Sequence, residues 1–154
     1  MKIKKATIDD FEKLKKIKIL SKKEELKYSD SLKPIEKTKK KFLEYMRHNL
    51  QSRYKSVFYA EEDDKVIGYV LVQWFTALPI VKFKRKGYVS NLYIDIKYRK
   101  KGIGIKLVKK AMEWLKKNEV KHVSLEIHVD NKAAQNLYKK LGFKEYTLKL
   151  SKII

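Results

Sequence analysis

The stretch Arg99-Lys100-Lys101-Gly102-Ile103-Gly104 joins a strand-like run, residues 88–96, to a helix-like run, residues 105–116. Glycines let a backbone approach a ligand closely, and a helix N-terminus offers unpaired N–H groups whose dipole attracts an anion. The junction therefore predicts a phosphate-binding loop. Its spacing excludes a nucleoside-triphosphate loop, which needs Gly-x-x-x-x-Gly-Lys-Ser/Thr, and a dinucleotide loop, which needs three glycines.

A second informative segment lies downstream, at residues 125–143, with the sequence LEIHVDNKAAQNLYKKLGF. Together with the Arg-x-x-Gly-x-Gly pattern, it resembles the acetyl-CoA site of the GCN5-related N-acetyltransferases, where Asn, a helix, Leu-Tyr and Leu-Gly-Phe recur in that order. The two motifs and the helix between them cover about residues 88–146. The resemblance implies an α+β fold, with a mixed, mostly antiparallel central sheet of roughly six to seven strands flanked by about four helices.

Length and composition bound the class of protein. A chain of 154 residues predicts one N-acetyltransferase domain over residues 1–154, and 44% apolar content argues against disorder. No run of about 18 apolar residues is present, so we expect no membrane span, and no apolar stretch follows residues 1–5 as it would in a secretory signal. The absence of cysteine excludes disulfides and thiolate metal sites and fits a cytoplasmic location.

The net charge of +21 has two interpretations. It favours an anionic partner such as CoA, nucleic acid or an acidic peptide, or it reflects a lysine-rich, solvated surface. Only four of the 39 cationic residues are arginines, and the lysines are spread over almost every segment. Proteins that read nucleic acid rely on arginine and cluster their charge, so we expect no nucleic-acid partner.

The remainder of the chain predicts alternating strands and helices. The predicted strands are residues 2–7, 57–60, 66–75, 88–96, 120–129 and one or two within 143–153. The predicted helices begin after Thr7, at Pro34, at residue 105 and after Asn131. Gly68 predicts a bulge or a close backbone approach within its strand. This alternation predicts a sheet covered by helices on both faces.

The resemblance also implies which residues bind acetyl-CoA. The loop would hold the pyrophosphate, a strand would offer backbone groups to the pantetheine arm, and Asn131 would cap a helix and contact that arm. The implied binding residues are Leu92, Tyr93, Ile94, Arg99, Lys100, Lys101, Gly102, Ile103, Gly104, Ile105, Asn131 and Tyr138. For the strand to do this, its neighbour must part from it and free an edge.

Two residues are candidates for catalysis. Tyr138 stands where the family often has a tyrosine, and a phenol near the sulfur can protonate or hydrogen-bond the CoA thiolate. Its alternative is a core tyrosine at helical spacing from Ala134 and Leu141. Glu126 lies in an apolar strand, where a carboxylate is costly unless it is paired or functional. In enzymes that acetylate protein N-termini a glutamate here is proposed as a base acting through water; its alternative is a salt bridge with a lysine.

The three histidines are weaker candidates for a functional role. A structural role is favoured for His128, and His48 and His122 are expected at the surface. No His/Asp/Glu cluster has metal-ligand spacing, so no metal is predicted.

The function implied is acetyl-CoA-dependent transfer of acetyl to a primary amine, as in the ribosomal-protein and protein N-terminal acetyltransferases. A protein or peptide α-amine, with a reference pKa of about 8, needs less deprotonation than a lysine or polyamine at about 10.4. Two alternatives stay open: a small-amine acetyltransferase acting on polyamines or aminoglycosides, and a non-catalytic basic module that binds acyl-CoA or nucleic acid. The sequence does not distinguish a monomer from a homodimer.

Overall fold

The computed structural model describes residues 1–154 and contains one five-stranded sheet in the order β1-β2-β3-β4-β5. The strands are β1 Lys2–Lys5, β2 Lys55–Glu62, β3 Lys65–Thr76, β4 Arg85–Ile94 and β5 His122–Ser124. The helices are α1 Phe11–Glu25, α2 Ile35–Gln51, α3 Ile103–Lys117 and α4 Lys132–Lys140. Strands β1 to β4 are antiparallel neighbours, whereas β4 and β5 are parallel. The predicted mixed, mostly antiparallel α+β class is confirmed.

Helices cover both faces of the sheet, as predicted. Because side chains alternate along a strand, Tyr69 and Val70 of β3 enter different cores. Tyr69 packs with Leu14 of α1 and Met46 of α2, and Val70 packs with Leu107 of α3. None of the helices combines the length and apolar character that a membrane span requires.

Gly68 predicts a bulge or a close backbone approach, and the β2–β3 hairpin shows both. Asp63 and Asp64 form its turn with φ values of 48° and 56°, a conformation that aspartate tolerates better than most residues. The register of β2 against β3 shifts at Ala60/Glu61, next to Gly68. A Cβ on Gly68 would lie 2.9 Å from the Tyr93 carbonyl oxygen, so β4 approaches here too closely for any side chain.

The sheet has fewer strands than predicted. The strand expected over residues 120–129 is paired only over His122–Ser124, because the chain leaves β4 after that point. Residues 143–153, expected to supply one or two strands, contain none. Their alternation of apolar and polar residues suits a strand, but no backbone hydrogen bond joins residues 144–153 to another segment. Strand formation depends on that partner as much as on the local pattern.

Candidate active site

Strands β4 and β5 separate in the middle of β4. They pair only over Lys86–Tyr88 and His122–Ser124, whereas β4 continues to Ile94. The Asp95 N–H donates to the Ile67 carbonyl on β3 at 2.9 Å. Since alternate residues direct their backbone groups to opposite edges, Leu92 and Ile94 face the edge that β5 has left. This unpaired edge is the parting that the sequence required.

Tyr93 is placed differently from its two neighbours. Its position in the alternation directs its backbone groups towards β3, and its side chain is buried in the core formed with α1 and α2. Of the three strand residues predicted to contact a cofactor arm through the backbone, the structure therefore brings only Leu92 and Ile94 to the open edge.

The glycine loop leads from β4 into α3. Lys100 and Gly102 have φ values of 62° and 74°, and α3 begins at Ile103. A Cβ on Gly102 would meet no atom within 4 Å, so this glycine serves the left-handed backbone and keeps the space before the helix open. The first turn of α3 carries no acidic residue, and its unpaired N–H groups are suited to an anion.

At Gly104 it is helix packing, and not backbone conformation, that requires a glycine. Its Cβ would lie 2.7 Å from Leu137 Cδ1, so Gly104 permits the close approach of α4 to α3. The neighbouring Ile103 is buried and Ile105 is half-buried.

Arg99 is held by the protein itself. Its Nη2 lies 2.6 and 2.8 Å from the two carboxylate oxygens of Glu24 on α1, and its Nε donates to the Ile94 carbonyl at 2.9 Å. The guanidinium thus ties the loop to α1 and β4. Lys100 and Lys101 are exposed, and they remain the cationic side chains of the loop that can reach a ligand.

Tyr138 lies in the core on the α3 side of the sheet. It is 6% exposed, it shares a core cluster with Ile103 and Leu107, and its ring meets that of Phe143 edge-on at 5.4 Å. Burial alone raises the pKa of the Tyr138 phenol well above its usual range. The hydroxyl therefore keeps its proton throughout the physiological pH range.

Glu126 lies two residues beyond the end of β5. Its side chain is 62% exposed, and its Oε2 is 3.0 Å from Lys149 Nζ. Burial raises the pKa of Tyr88, and the Glu126 charge adds to that rise. The expectation of a carboxylate inside an apolar strand was wrong, because the strand ends at Ser124 and leaves Glu126 in solvent.

Asn131 and the histidines occupy structural positions. The Asn131 Oδ1 accepts the Ala134 N–H at 3.1 Å and caps α4, as predicted. The His128 ring packs against Tyr28, with 5.5 Å between ring centroids. His48 is exposed, but the expectation for His122 was wrong: it is half-buried and its ring lies between two aromatic rings, those of Phe83 and Tyr146.

A polar network on the α1 side of β4 was missed by sequence reasoning. The Tyr69 hydroxyl donates to Ser21 Oγ at 2.8 Å, Ser21 Oγ donates to Asn91 Oδ1 at 3.0 Å, and the Asn91 amide donates to Glu25. Lys18 is buried beside them, with Nζ 4.0 Å from the Tyr69 ring centroid. The one sequence signal was Asn91, which together with Asp95 interrupts the predicted strand with a polar residue.

The buried Lys18 leads to a prediction about stability. Burial lowers the pKa of Lys18 from 10.5 to about 7, partly offset by the Glu25 charge. Between those values the unfolded chain binds more protons, so the unfolding free energy should rise with pH, by on the order of 3 kcal/mol between about pH 7 and pH 9.5. Denaturant titrations across this range should show that rise in the wild type and no rise in Lys18→Met.

The control for this prediction is Lys16→Met, which removes an exposed lysine from the same helix. It should keep the wild-type slope. Identical slopes in Lys18→Met and the wild type would show that Lys18 keeps an ordinary pKa.

Comparison with known proteins agrees with this geometry. Residues 21–143 match the acetyltransferase (GNAT) family. An N-alpha-acetyltransferase of Sulfurisphaera tokodaii is 36% identical over 110 residues, which are 68% of this chain and 63% of that protein. N-alpha-acetyltransferase 30 of Xenopus laevis is 47% identical over 62 residues, which are 40% of this chain and 23% of that protein. The chain thus covers less than two thirds of the length of either relative.

Solved structures share the architecture at low sequence identity. A predicted acetyltransferase of Clostridium acetobutylicum, solved with acetyl-CoA, is 23% identical with a TM-score of 0.77, covering 97% of this chain and 95% of that one. An aminoglycoside acetyltransferase from an uncultured soil metagenomic sample is 16% identical with a TM-score of 0.75, covering 99% and 95%. The fold is therefore that of acetyltransferases. The match over residues 21–143 goes further: the chain belongs to the GNAT family.

Proposed function

We propose that this protein is an acetyl-CoA-dependent N-acetyltransferase whose acceptor is the N-terminal α-amine of a protein or peptide. The observation that carries the proposal is the unpaired edge of β4, which runs directly into the open glycine loop at the start of α3. Family membership supports the reaction class. The relatives named N-alpha-acetyltransferase support the choice of acceptor.

The residues along the open edge of β4 and in the glycine loop are suited to binding acetyl-CoA. The N–H groups of Leu92 and Ile94 face the open edge, where an amide of the pantetheine arm can pair with Ile94, the one nearer the glycine loop, as an added strand does. Gly102 leaves room for a pyrophosphate at the α3 N-terminus, with Lys100 and Lys101 beside it. Acetyl-CoA supplies an activated thioester when bound, and no metal is required for acyl transfer from it.

Residues of this chain assist the reaction at the acceptor amine and at the thioester carbonyl. The acceptor amine must be neutral to attack, and Glu126, exposed to water two residues beyond the end of β5, accepts its proton through a water molecule. The C–N bond forms as the C–S bond breaks, while the Leu92 N–H, the open-edge donor farther from the glycine loop, stabilises the developing oxyanion.

Tyr138 acts on the departing sulfur. Because burial raises its pKa far above the reference thiol value of about 8.5, full proton transfer from the phenol to a thiolate is uphill. We therefore assign to Tyr138 a hydrogen bond that stabilises the thiolate, with water completing its protonation.

The acidic residues of α1 and α2 favour an α-amine over a polycation. Glu24 is paired with Arg99, Glu25 with Lys22 at 3.2 Å, and Glu36 lies 3.8 Å from Lys23. A polyamine or aminoglycoside site needs several free carboxylates, and these three are engaged by the protein's own cations, which leaves Asp30 and Glu44 as the acidic residues of residues 21–55 without an ion pair. The structural likeness to an aminoglycoside acetyltransferase therefore reports the shared fold.

A panel assay tests this proposal. The protein is incubated with acetyl-CoA and one acceptor at a time, with thiol release as the readout: peptides with a free α-amine, the same peptides blocked at that amine, spermidine and an aminoglycoside. We expect turnover with the free peptides and only background with the rest. Turnover confined to spermidine or the aminoglycoside would replace the proposed acceptor with a small amine.

Replacing Glu126 distinguishes its proposed role as a base from its ion pair with Lys149. Glu126→Gln should lower turnover about tenfold for a lysine acceptor and less for an α-amine, because the lysine holds its proton more tightly. It should also flatten the acidic limb of the rate–pH profile. Lys149→Gln is the matched control, since it breaks the same ion pair but keeps the carboxylate. Equal effects of the two substitutions would show that Glu126 acts only through its ion pair.

A further inference from the structure

The open edge of β4 has backbone hydrogen-bonding partners on one side only. Beyond Tyr88 the strand pairs with β3 alone, so the peptide groups of Leu92 and Ile94 lack the bonds from a second strand that would fix their orientation. A donor that stabilises an oxyanion must be held in position before the reaction begins. Groups other than a neighbouring strand must therefore hold this edge.

A β-bulge in β4 adds to this requirement. The register of β4 against β3 shifts between Val89 and Asn91, which leaves Ser90 as the extra residue of β4. A bulge interrupts the ladder of hydrogen bonds and bends the strand locally. This bulge lies directly before the Leu92 N–H, the group assigned to the oxyanion.

The Asn91 side chain connects this part of β4 to α1 and β3. Its Oδ1 accepts from Ser21 Oγ at 3.0 Å and from the Tyr69 hydroxyl, and its amide nitrogen donates to Glu25. Ser21 and Tyr69 are each 2% exposed, so both lie in the packed interior. Both ends of the Asn91 carboxamide are thus bonded to groups on other elements.

The last turn of α1 also holds the other end of the open edge. Glu24 pairs with Arg99, whose Nε donates to the Ile94 carbonyl at 2.9 Å. Glu24 and Glu25 are the last two residues of α1. Two adjacent glutamates therefore fix the edge, one through Arg99 at Ile94 and the other through the Asn91 amide.

We propose that Asn91 is a positioning residue for acyl transfer: its hydrogen bonds hold the peptide group between Asn91 and Leu92 in the orientation that the oxyanion requires. The inference rests on the proposed function, which assigns the Leu92 N–H to that oxyanion. Because Asn91 directly precedes Leu92, a rotation of its backbone turns this N–H away from the open edge. Ser21, Tyr69 and Glu25 replace the hydrogen bonds that a neighbouring strand would supply.

Asn91→Asp tests the carboxamide at almost constant shape. The substitution removes the donor to Glu25 and, at about pH 8, brings two ionised carboxylates together, so the network should open. We expect kcat with a peptide acceptor to fall by on the order of 10²-fold, the cost of a small misplacement of reacting groups, while acetyl-CoA affinity stays within about twofold of the wild type. Steady-state kinetics and calorimetry measure the two quantities.

Combining Asn91→Asp with Glu25→Gln exchanges donor and acceptor. The glutamine amide can donate to the aspartate, and the aspartate still accepts from Ser21 and Tyr69. Most of the lost kcat should therefore return in the double variant. A double variant no faster than Asn91→Asp alone would contradict the hydrogen-bonded network as the cause of the loss.

Asn49→Ala is the matched control for the loss of a buried asparagine. Asn49 lies on α2, is 1% exposed and accepts from Lys55 Nζ at 2.9 Å. Its replacement should reduce stability without lowering kcat, because it has no contact with β4. An equal loss of kcat in Asn49→Ala would show that destabilisation alone explains the effect of Asn91→Asp.

A measurement without an acceptor separates this inference from the proposed function. The order parameter of the Leu92 amide, from NMR relaxation, should be about 0.85 in the wild type, fall below about 0.6 in Asn91→Asp and recover in the double variant. If Asn91→Asp does not fold, Ser21→Ala removes one bond to the same amide and should give a smaller fall.

The outcomes are distinguishable. If no amine is acetylated, the proposed function fails, and the Leu92 order parameter alone decides whether Asn91 holds this peptide group. A Leu92 amide as rigid in folded Asn91→Asp as in the wild type, or a wild-type kcat in that variant, would contradict the proposal.

Discussion

Replacing Tyr138 by Phe is expected to lower kcat by ~10²-fold while acetyl-CoA affinity stays near that of the wild type. The substitution keeps the ring that packs against Phe143 and removes only the hydroxyl. No hydrogen bond contributes to the raised pKa of Tyr138, so the folded chain should lose little stability. The loss should therefore appear in the chemical step, measured by single-turnover kinetics.

The dependence on the leaving group identifies the cause. If Tyr138 stabilises the thiolate, a more acidic thiol should need less of that stabilisation, and the defect should shrink. Tyr59→Phe is the matched control: it removes a buried hydroxyl that bonds Asp10 at 2.9 Å on the opposite face of the sheet, and it should affect stability without affecting kcat. Wild-type turnover in Tyr138→Phe would exclude the tyrosine from the reaction.

Gly102→Glu is expected to weaken acetyl-CoA binding by at least ~10²-fold, about 2.7 kcal/mol. A glutamate here would bring a negative charge and a side chain into the open space before α3, where the pyrophosphate is expected. The left-handed backbone, φ 74°, adds strain of about 1 kcal/mol to any side chain at this position. Binding is measured by calorimetry on variants whose circular dichroism confirms that they are folded.

Two control variants distinguish the effect of the negative charge from the effects of side-chain size and of helix packing. Gly102→Gln has the size and strain of the glutamate without its charge, and it should bind more tightly than Gly102→Glu. Gly104→Ala should reduce stability more than cofactor affinity, because its methyl group meets Leu137 and not the loop. Unchanged acetyl-CoA affinity in folded Gly102→Glu would show that the phosphate binds elsewhere.

Much of the fold could be predicted from the sequence because the local signals agree with the tertiary contacts. The β2–β3 hairpin has an acidic turn between two apolar runs, and Gly68 marks a real bulge. Residues 143–153 show where that reasoning fails. Their alternation suits a strand, but nothing in a local pattern specifies whether another backbone lies alongside.

The positions of candidate site residues could be predicted where backbone geometry determines them. They could not be predicted where a long side chain pairs with a residue distant in the sequence. The left-handed Gly102 before α3 and the Asn131 cap of α4 follow from helix-terminus chemistry and are present in the structure, whereas their contacts with a cofactor stay predictions. Arg99 could not be placed from sequence, because Glu24, its partner, lies on α1, far away in the sequence. The network of Ser21, Tyr69 and Asn91 joins three elements and has no local signature.

The central claim is that the acceptor is an α-amine, and one measurement tests it most directly. The protein is incubated with acetyl-CoA and a peptide that carries both a free N-terminal amine and an internal lysine, and fragment-ion mass spectrometry locates the acetyl group. The account predicts acetylation at the N-terminus, with the lysine side chain largely unmodified. Acetylation of the lysine with a free N-terminus, or no acetylation while acetyl-CoA binds, would contradict it.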